Sequence, residues 1–214
     1  MEDTEALRAE RPGLLKLAYL TETKKIVGVS VPKKPDVDAE EERYLSSFYG
    51  MLGIPVCPEV DLDAGAPSAI LGAQALGFAG IRDYALDMRE KGVPLAFSEA
   101  FLRKTGLCAG PDDPVIAPGA DNWSLMDMDA GALNALRDRL TAPLGLRFRA
   151  PTRVALNLYD QDMEVVQNFL DEPVQVELDL FGRDPKARKV ALVLSEGREV
   201  SLVREGSRYV LTIP

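Results

Sequence analysis

The sequence predicts an α/β domain built on a small parallel sheet, followed by a small antiparallel β-sandwich. Three observations carry that fold class. Between residues 14 and 105, apolar runs alternate with helical periodicities over short links, the written form of a parallel sheet. Between 106 and 127 the chain turns to Gly, Pro and Asp, the composition of a connector. From residue 150 it becomes a series of short strands with alternating faces, clearest in Val174-Gln175-Val176-Glu177-Leu178-Asp179-Leu180. The expected division is 1–149 for the α/β domain, with 106–149 as connector and closing helix, and 150–214 for the β domain.

Element by element, Leu14 to Leu20 reads as a short buried strand. Thr21 to Asp38, rich in Lys, Pro and Val, reads as a surface excursion in which IVGVSV forms an edge strand. A helix follows from Asp38, which caps it with Glu41 as reciprocal partner. Tyr44, Leu45, Phe48 and Leu52 recur at helical spacing, and Gly53 ends the helix. IPVCPEVDL is a strand whose prolines favour an edge. SAILGAQAL is a buried strand running into a loop. AGIRDYALDMREKG places Ile81, Tyr84, Ala85 and Met88 on one helical face, with Gly92 as the stop. VPLAFSEAFLRKTG returns as a strand with a short helical continuation. Right-handed crossovers then give a Rossmann-like or flavodoxin-like layer. Residues 128–140 form a last amphipathic helix.

In the second half, RVALNLYD, EVVQNFL, PVQVELDLF, KVALVLS, EVSLVRE and RYVLTI read as strands. Asp160-Gln161-Asp162, Asp171-Glu172-Pro173 and Glu205-Gly206-Ser207 read as hairpin links. A sandwich this small buries only about 60% of its unfolded surface. The segment before it is apolar, with Trp123, Leu125, Met126, Leu133, Leu136, Leu140, Leu144 and Leu146. It is therefore expected to bridge the two domains in one fixed interface.

Composition narrows the function. A net charge of -9 over 214 residues repels polyanions, and the basic clusters Lys24-Lys25, Lys33-Lys34 and Lys186 to Lys189 read as solvated loop charge, so nucleic acid is not an expected partner. No run approaches the roughly 20 apolar residues of a membrane span. The acidic start, Met1-Glu2-Asp3, is unlike a signal peptide and favours a cytoplasmic chain or an excised piece of a longer one. The chain has no histidine. Ser-His-Asp and Cys-His triads, haem and ordinary catalytic zinc are thereby excluded. Cys57 and Cys108 have no metal spacing and read as small buried apolar residues.

The remaining constellations are weak. Gly72, Gly77 and Gly80 miss the dinucleotide fingerprint, and no P-loop occurs, so no cofactor is expected. In VPLAFSEAFL a strand turns into a helix. Class I glutamine amidotransferases present a cysteine flanked by glycines at such a turn; here Ser98 and Glu99 stand there, and Ser98 reads as a helix cap. Asp61-Leu62-Asp63, Asp112-Asp113 and Asp127-Met128-Asp129 lack the calcium loop, so no metal is expected. A carboxylate pair acting on a sugar or glycan remains a second reading. Trp123 is either a loop anchor or a stacking platform for carbohydrate. If the chain binds a small ligand, Asp61, Asp63, Gln74, Ser98, Glu99 and Trp123 are the candidate residues, as polar or aromatic groups in the loops after the strands.

On YGMLGIPV, AILGAQAL and GVPLAFSEAFL, the α/β half resembles the glutamine-amidotransferase-like domain without an active site that follows the barrel of family 42 β-galactosidases, known as the trimerisation domain. APTRVALNLYDQDMEVVQNFLDEPVQVELDL resembles the small β domain that ends those chains. The likeness spans about residues 14 to 105 and 150 to 214, and the catalytic barrel is absent. It implies a non-catalytic accessory or oligomerisation region of a glycoside-hydrolase-like protein. The partners it implies are further copies of the chain or a barrel-containing protein, with carbohydrate as the ligand class. The alternatives are a small carboxylate-dependent hydrolase acting on a sugar or glycan, and a stand-alone carbohydrate-binding module.

Overall fold

The computed structural model describes residues 3–35, 37, 42, 44–119, 121–183, 190–193 and 198–214. The first half contains α1 (Asp3–Thr21), β1 (Ile26–Val27), β2 (Val29–Pro32), α2 (Leu45–Met51), β3 (Val56–Glu59), β4 (Ala69–Leu71), α3 (Ile81–Glu90), β5 (Leu95–Ser98), α4 (Glu99–Thr105), β6 (Val115–Ile116) and α5 (Ala130–Thr141). The second contains β7 (Arg147–Arg149), β8 (Val154–Tyr159), β9 (Met163–Asn168), β10 (Val174–Asp179), β11 (Val190–Val193), β12 (Arg198–Ser201), β13 (Val203–Glu205) and β14 (Arg208–Ile213).

Strands β2 to β6 form a wholly parallel sheet in the order β3-β2-β4-β5-β6. Its inner strands are apolar on both faces because helices cover both. Successive side chains point to opposite sides. Ala69, Leu71, Leu95 and Phe97 join α3 and α4 in one core, while Ile70 and Ala96 join α2 and α5 in the other. Ile81, Tyr84, Ala85 and Met88 are the buried face of α3, and Gly92 ends that segment at φ 71. β3 lies at the sheet edge, where Pro58 is tolerated.

The second half pairs antiparallel strands into two larger sheets, β1-β8-β9 and β13-β14-β10-β7, with β11-β12 as a separate ribbon. Val154, Leu156 and Leu158 of β8 meet Val174, Val176 and Leu178 of β10 in one core, so the two sheets bury their inner faces against each other.

Several expectations are corrected. Leu14 to Leu20 is not a buried strand but the end of α1, with Leu14 54%, Leu15 60% and Tyr19 77% exposed. A short apolar run carries no period of its own, and here it continues a segment rich in Ala, Leu, Arg and Glu that favours helix. The expected edge strand IVGVSV divides in two: β1 is an edge strand of the antiparallel sheet β1-β8-β9, whereas β2 is no edge but lies between β3 and β4, buried throughout. Gly28 makes this close approach fit, since a Cβ there would lie 2.2 Å from the Pro55 carbonyl oxygen. Tyr44 does not pack; it is 68% exposed at φ 64, and Leu45, Phe48 and Tyr49 are the buried residues of α2. The Asp38–Glu41 capping box and Lys186 to Lys189 lie outside the described residues.

The connector contributes a fifth strand, β6, and a 3₁₀ turn at Asn122–Asp127. β7 and β1 both belong to the antiparallel part, pairing with β10 and β8, so the β domain reaches back across residue 150. Asp171-Glu172-Pro173 is not a hairpin link; it carries the chain from one sheet to the other, whereas the turns at 160–162 and 205–207 do join paired strands. EVSLVRE divides into β12 and β13. Lys24 is no free loop charge, since its ammonium lies 2.6 Å from Asp162 and 3.7 Å from Asp160. Both cysteines are free thiols; neither is fully buried, and Cys108 is exposed. No described helix is long and apolar enough to cross a membrane.

The apolar connector bridges the halves, except that Trp123, counted in it from the sequence, stays 56% exposed. Leu125, Met126, Leu133, Leu136 and Leu140 enter the α/β core, Leu146 enters the β core, and Leu144 packs against both. Arg137 lies at the centre of this junction, fully buried. It donates to the carbonyls of Leu52 (2.6 Å), Ala150 (2.5 Å) and Pro151 (3.1 Å), with its guanidinium 5.4 Å from the Phe148 ring centroid. Burial and then the nearby Arg149 charge pull its pKa down to about 10, against the opposing pull of Asp138.

Candidate functional site

In a parallel sheet with helices on both faces, ligands gather at the carboxyl ends of the strands where the order reverses. Here the reversal falls between β2 and β4. A small crevice opens there, lined by Val31, Pro32, Glu42, Leu45, Tyr49 and Gly72, among others. Around Gly72 three side-chain oxygens converge. A Cβ at that glycine would lie 3.2 Å from Glu42 Oε2, 3.5 Å from the Tyr49 hydroxyl and 3.8 Å from Ser98 Oγ.

Each oxygen has a defined state. Glu42 is 6% exposed, and its carboxylate accepts from the amides of Ala73 (2.6 Å) and Ala100 (3.3 Å). Those amides open the 3₁₀ turn Ala73–Gly77 and the first turn of α4, so one carboxylate satisfies two helix starts. Ser98 Oγ accepts from the Phe101 amide at 3.2 Å and caps α4, the role its sequence context gave it. Its backbone, φ -82 and ψ 155, is relaxed extended chain, without the sharp strained turn of a nucleophile elbow. The Tyr49 hydroxyl makes no hydrogen bond among the described residues, and burial, then the Glu42 charge, pushes its pKa up.

Of the residues read from sequence, Ser98 and Gln74 lie at this crevice. Glu99 is exposed on α4. Asp61 is exposed beyond β3, and Asp63 closes its own loop, accepting from the Gly65 amide at 2.8 Å while its carbonyl accepts from the Tyr84 hydroxyl at 2.8 Å. Each of the other acidic clusters has one member with a structural role. Asp113 is paired with Arg89 at 2.8 Å, and Asp129 caps α5. Among the described residues no His/Cys/Asp/Glu group has metal-binding geometry.

Trp123 forms a separate place on the surface, 56% exposed. Its ring meets Phe48 edge to face at 5.1 Å, and the Arg153 guanidinium lies 5.7 Å from its centroid. Asp121 fixes the turn by accepting from the Trp123 (2.9 Å) and Ser124 (3.3 Å) amides. Glu42, Tyr49 and Arg153 carried no signal in the sequence: Glu42 stands in an acidic run that resembles a solvated face, and Arg153 opens an ordinary strand. No family model, curated protein or solved structure matches this chain.

Proposed function

We propose that the chain is a non-catalytic accessory and assembly region of a glycoside-hydrolase-like protein, acting through contacts with further copies or with a barrel-containing partner. The sheet order β3-β2-β4-β5-β6, renumbered within the sheet, is 2-1-3-4-5. That order supports the flavodoxin-like form of the fold, and with it the likeness to the amidotransferase-like trimerisation domain.

The observation that carries the reading is the state of the Gly72 crevice. The place where such a sheet sets its chemistry holds a carboxylate already spent on two backbone amides and a serine spent on a cap. With no histidine in the chain, Ser98 lacks the usual neutral-pH base as a partner. The exposed apolar side chains of α1, including Leu14, Leu15 and Tyr19, are further surface of the kind that assembly covers.

Sedimentation of the purified chain across a wide concentration range tests the reading, with a pull-down against barrel-containing glycoside hydrolases from the same genome. Self-association or stable capture of a barrel protein is expected. A strictly monomeric chain that captures no barrel protein overturns it, as does aryl-glycoside hydrolysis abolished by Glu42→Gln.

A further inference from the structure

We propose that Trp123 and Arg153 form a binding site for a sugar bearing a carboxylate, the indole taking the apolar face of the ring and the guanidinium the acid. The inference rests on this surface alone and stands whether or not the chain assembles as proposed above.

The indole is the chain's sole tryptophan and is more than half exposed, yet it is held rigidly. Phe48 supports the ring, and Asp121 pins the turn that carries it. Arg153 stands at φ 64, in the left-handed region that a non-glycine residue rarely adopts. Its backbone is clamped there by its amide donating to Met51 (2.7 Å) and its carbonyl accepting from Phe169 (2.9 Å). Strain held in place by the surrounding structure points to use of the side chain it aims.

That side chain is unspent. Among the described residues, the Arg153 guanidinium makes no hydrogen bond and no ion pair, and it lies over the Trp123 ring. A guanidinium offers five N–H donors in a planar fork that matches a carboxylate. One indole and one guanidinium 5.7 Å from its centroid match one or two sugar rings, whereas each partner of a standard protein interface contributes roughly 800 Å².

Because Trp123 is the sole tryptophan, fluorescence excited at wavelengths that the six tyrosines do not absorb reports this site alone. A galacturonic-acid trisaccharide is titrated against its methyl ester and against a short acidic peptide. A saturable shift by the acid is expected, with affinity about tenfold weaker for the ester and for Arg153→Asn, a residue that tolerates the left-handed backbone. Trp123→Ala, followed by calorimetry, loses binding while its melting temperature stays near that of the parent. The proposal is overturned by no saturable shift, by equal binding of acid and ester, by an Arg153→Asn variant that binds as the parent does, or by tighter binding of the peptide, which would make this a protein-docking surface.

Discussion

Arg137 and Arg153 stand on the same junction, each over an aromatic ring, and have opposite fates. Arg137 is fully buried over Phe148 with its guanidinium committed to three backbone carbonyls; Arg153 is exposed over Trp123, its guanidinium committed to no polar partner among the described residues. A guanidinium bonded through all three of its nitrogens holds the fold, and one held in place with no polar partner has its donors open to a ligand. The same contrast separates the Gly72 crevice, where Glu42 and Ser98 are consumed internally, from the Trp123 surface.

The widest separation between spent and unspent groups is expected at the two thiols. Cys57 donates to Glu59 at 3.2 Å, and its pKa is pushed up to about 12 by burial first, then by that bond and the Glu59 charge. At pH 8 only about one part in ten thousand is thiolate. A disulfide reagent should consume Cys108 at once and Cys57 orders of magnitude more slowly; equal rates would break the contrast. The sign for stability follows. Cys57 is an acid raised in the fold, so its contribution is full below its ordinary value of 9.0 and is lost as pH rises through about 12. Tyr84, also pushed up to about 12 by burial and then the Asp63 charge, acts in the same direction. The melting temperature should fall as pH rises from 9 toward 10, above which loss of the Arg137 proton, its pKa pulled down to about 10, acts in the opposite direction.

Next in size is Arg137→Met, which keeps the stem and strands three carbonyls at the junction. It should cost about 3 to 5 kcal/mol in urea unfolding. Because the junction is shared, the parent should melt in one calorimetric transition; two transitions would show that Arg137 does not couple the halves. Glu42→Gln retains one acceptor for two amides and should cost about 1 to 3 kcal/mol. A neutral result would mean that the crevice is not closed by this carboxylate. Smallest is Arg153→Met, expected within about 1 kcal/mol of the parent, since an exposed cation over a ring contributes little to stability. A loss as large as that of Arg137→Met would erase the distinction between the two arginines.

The sequence by itself determined the parts whose information is local. The buried face of α3 was legible because four apolar residues recur at helical spacing, and β10 because its faces alternate. The Ser98 cap was legible because a small hydroxyl stood where a strand turns into a helix. The absence of histidine bounded the chemistry without any coordinates. Tertiary structure decided what depends on partners distant in the chain. β2 moved from edge to interior because Gly28 lets its backbone approach Pro55. Glu42 in an acidic run and Arg153 at the head of a strand read alike as surface charge. Their fates diverge because two amides from separate elements, 31 and 58 residues along the chain from Glu42, meet its carboxylate, while no such acceptor among the described residues meets Arg153. Spacing encodes which face a residue takes; only the folded chain sets which polar groups find one another, and so which are left for a ligand.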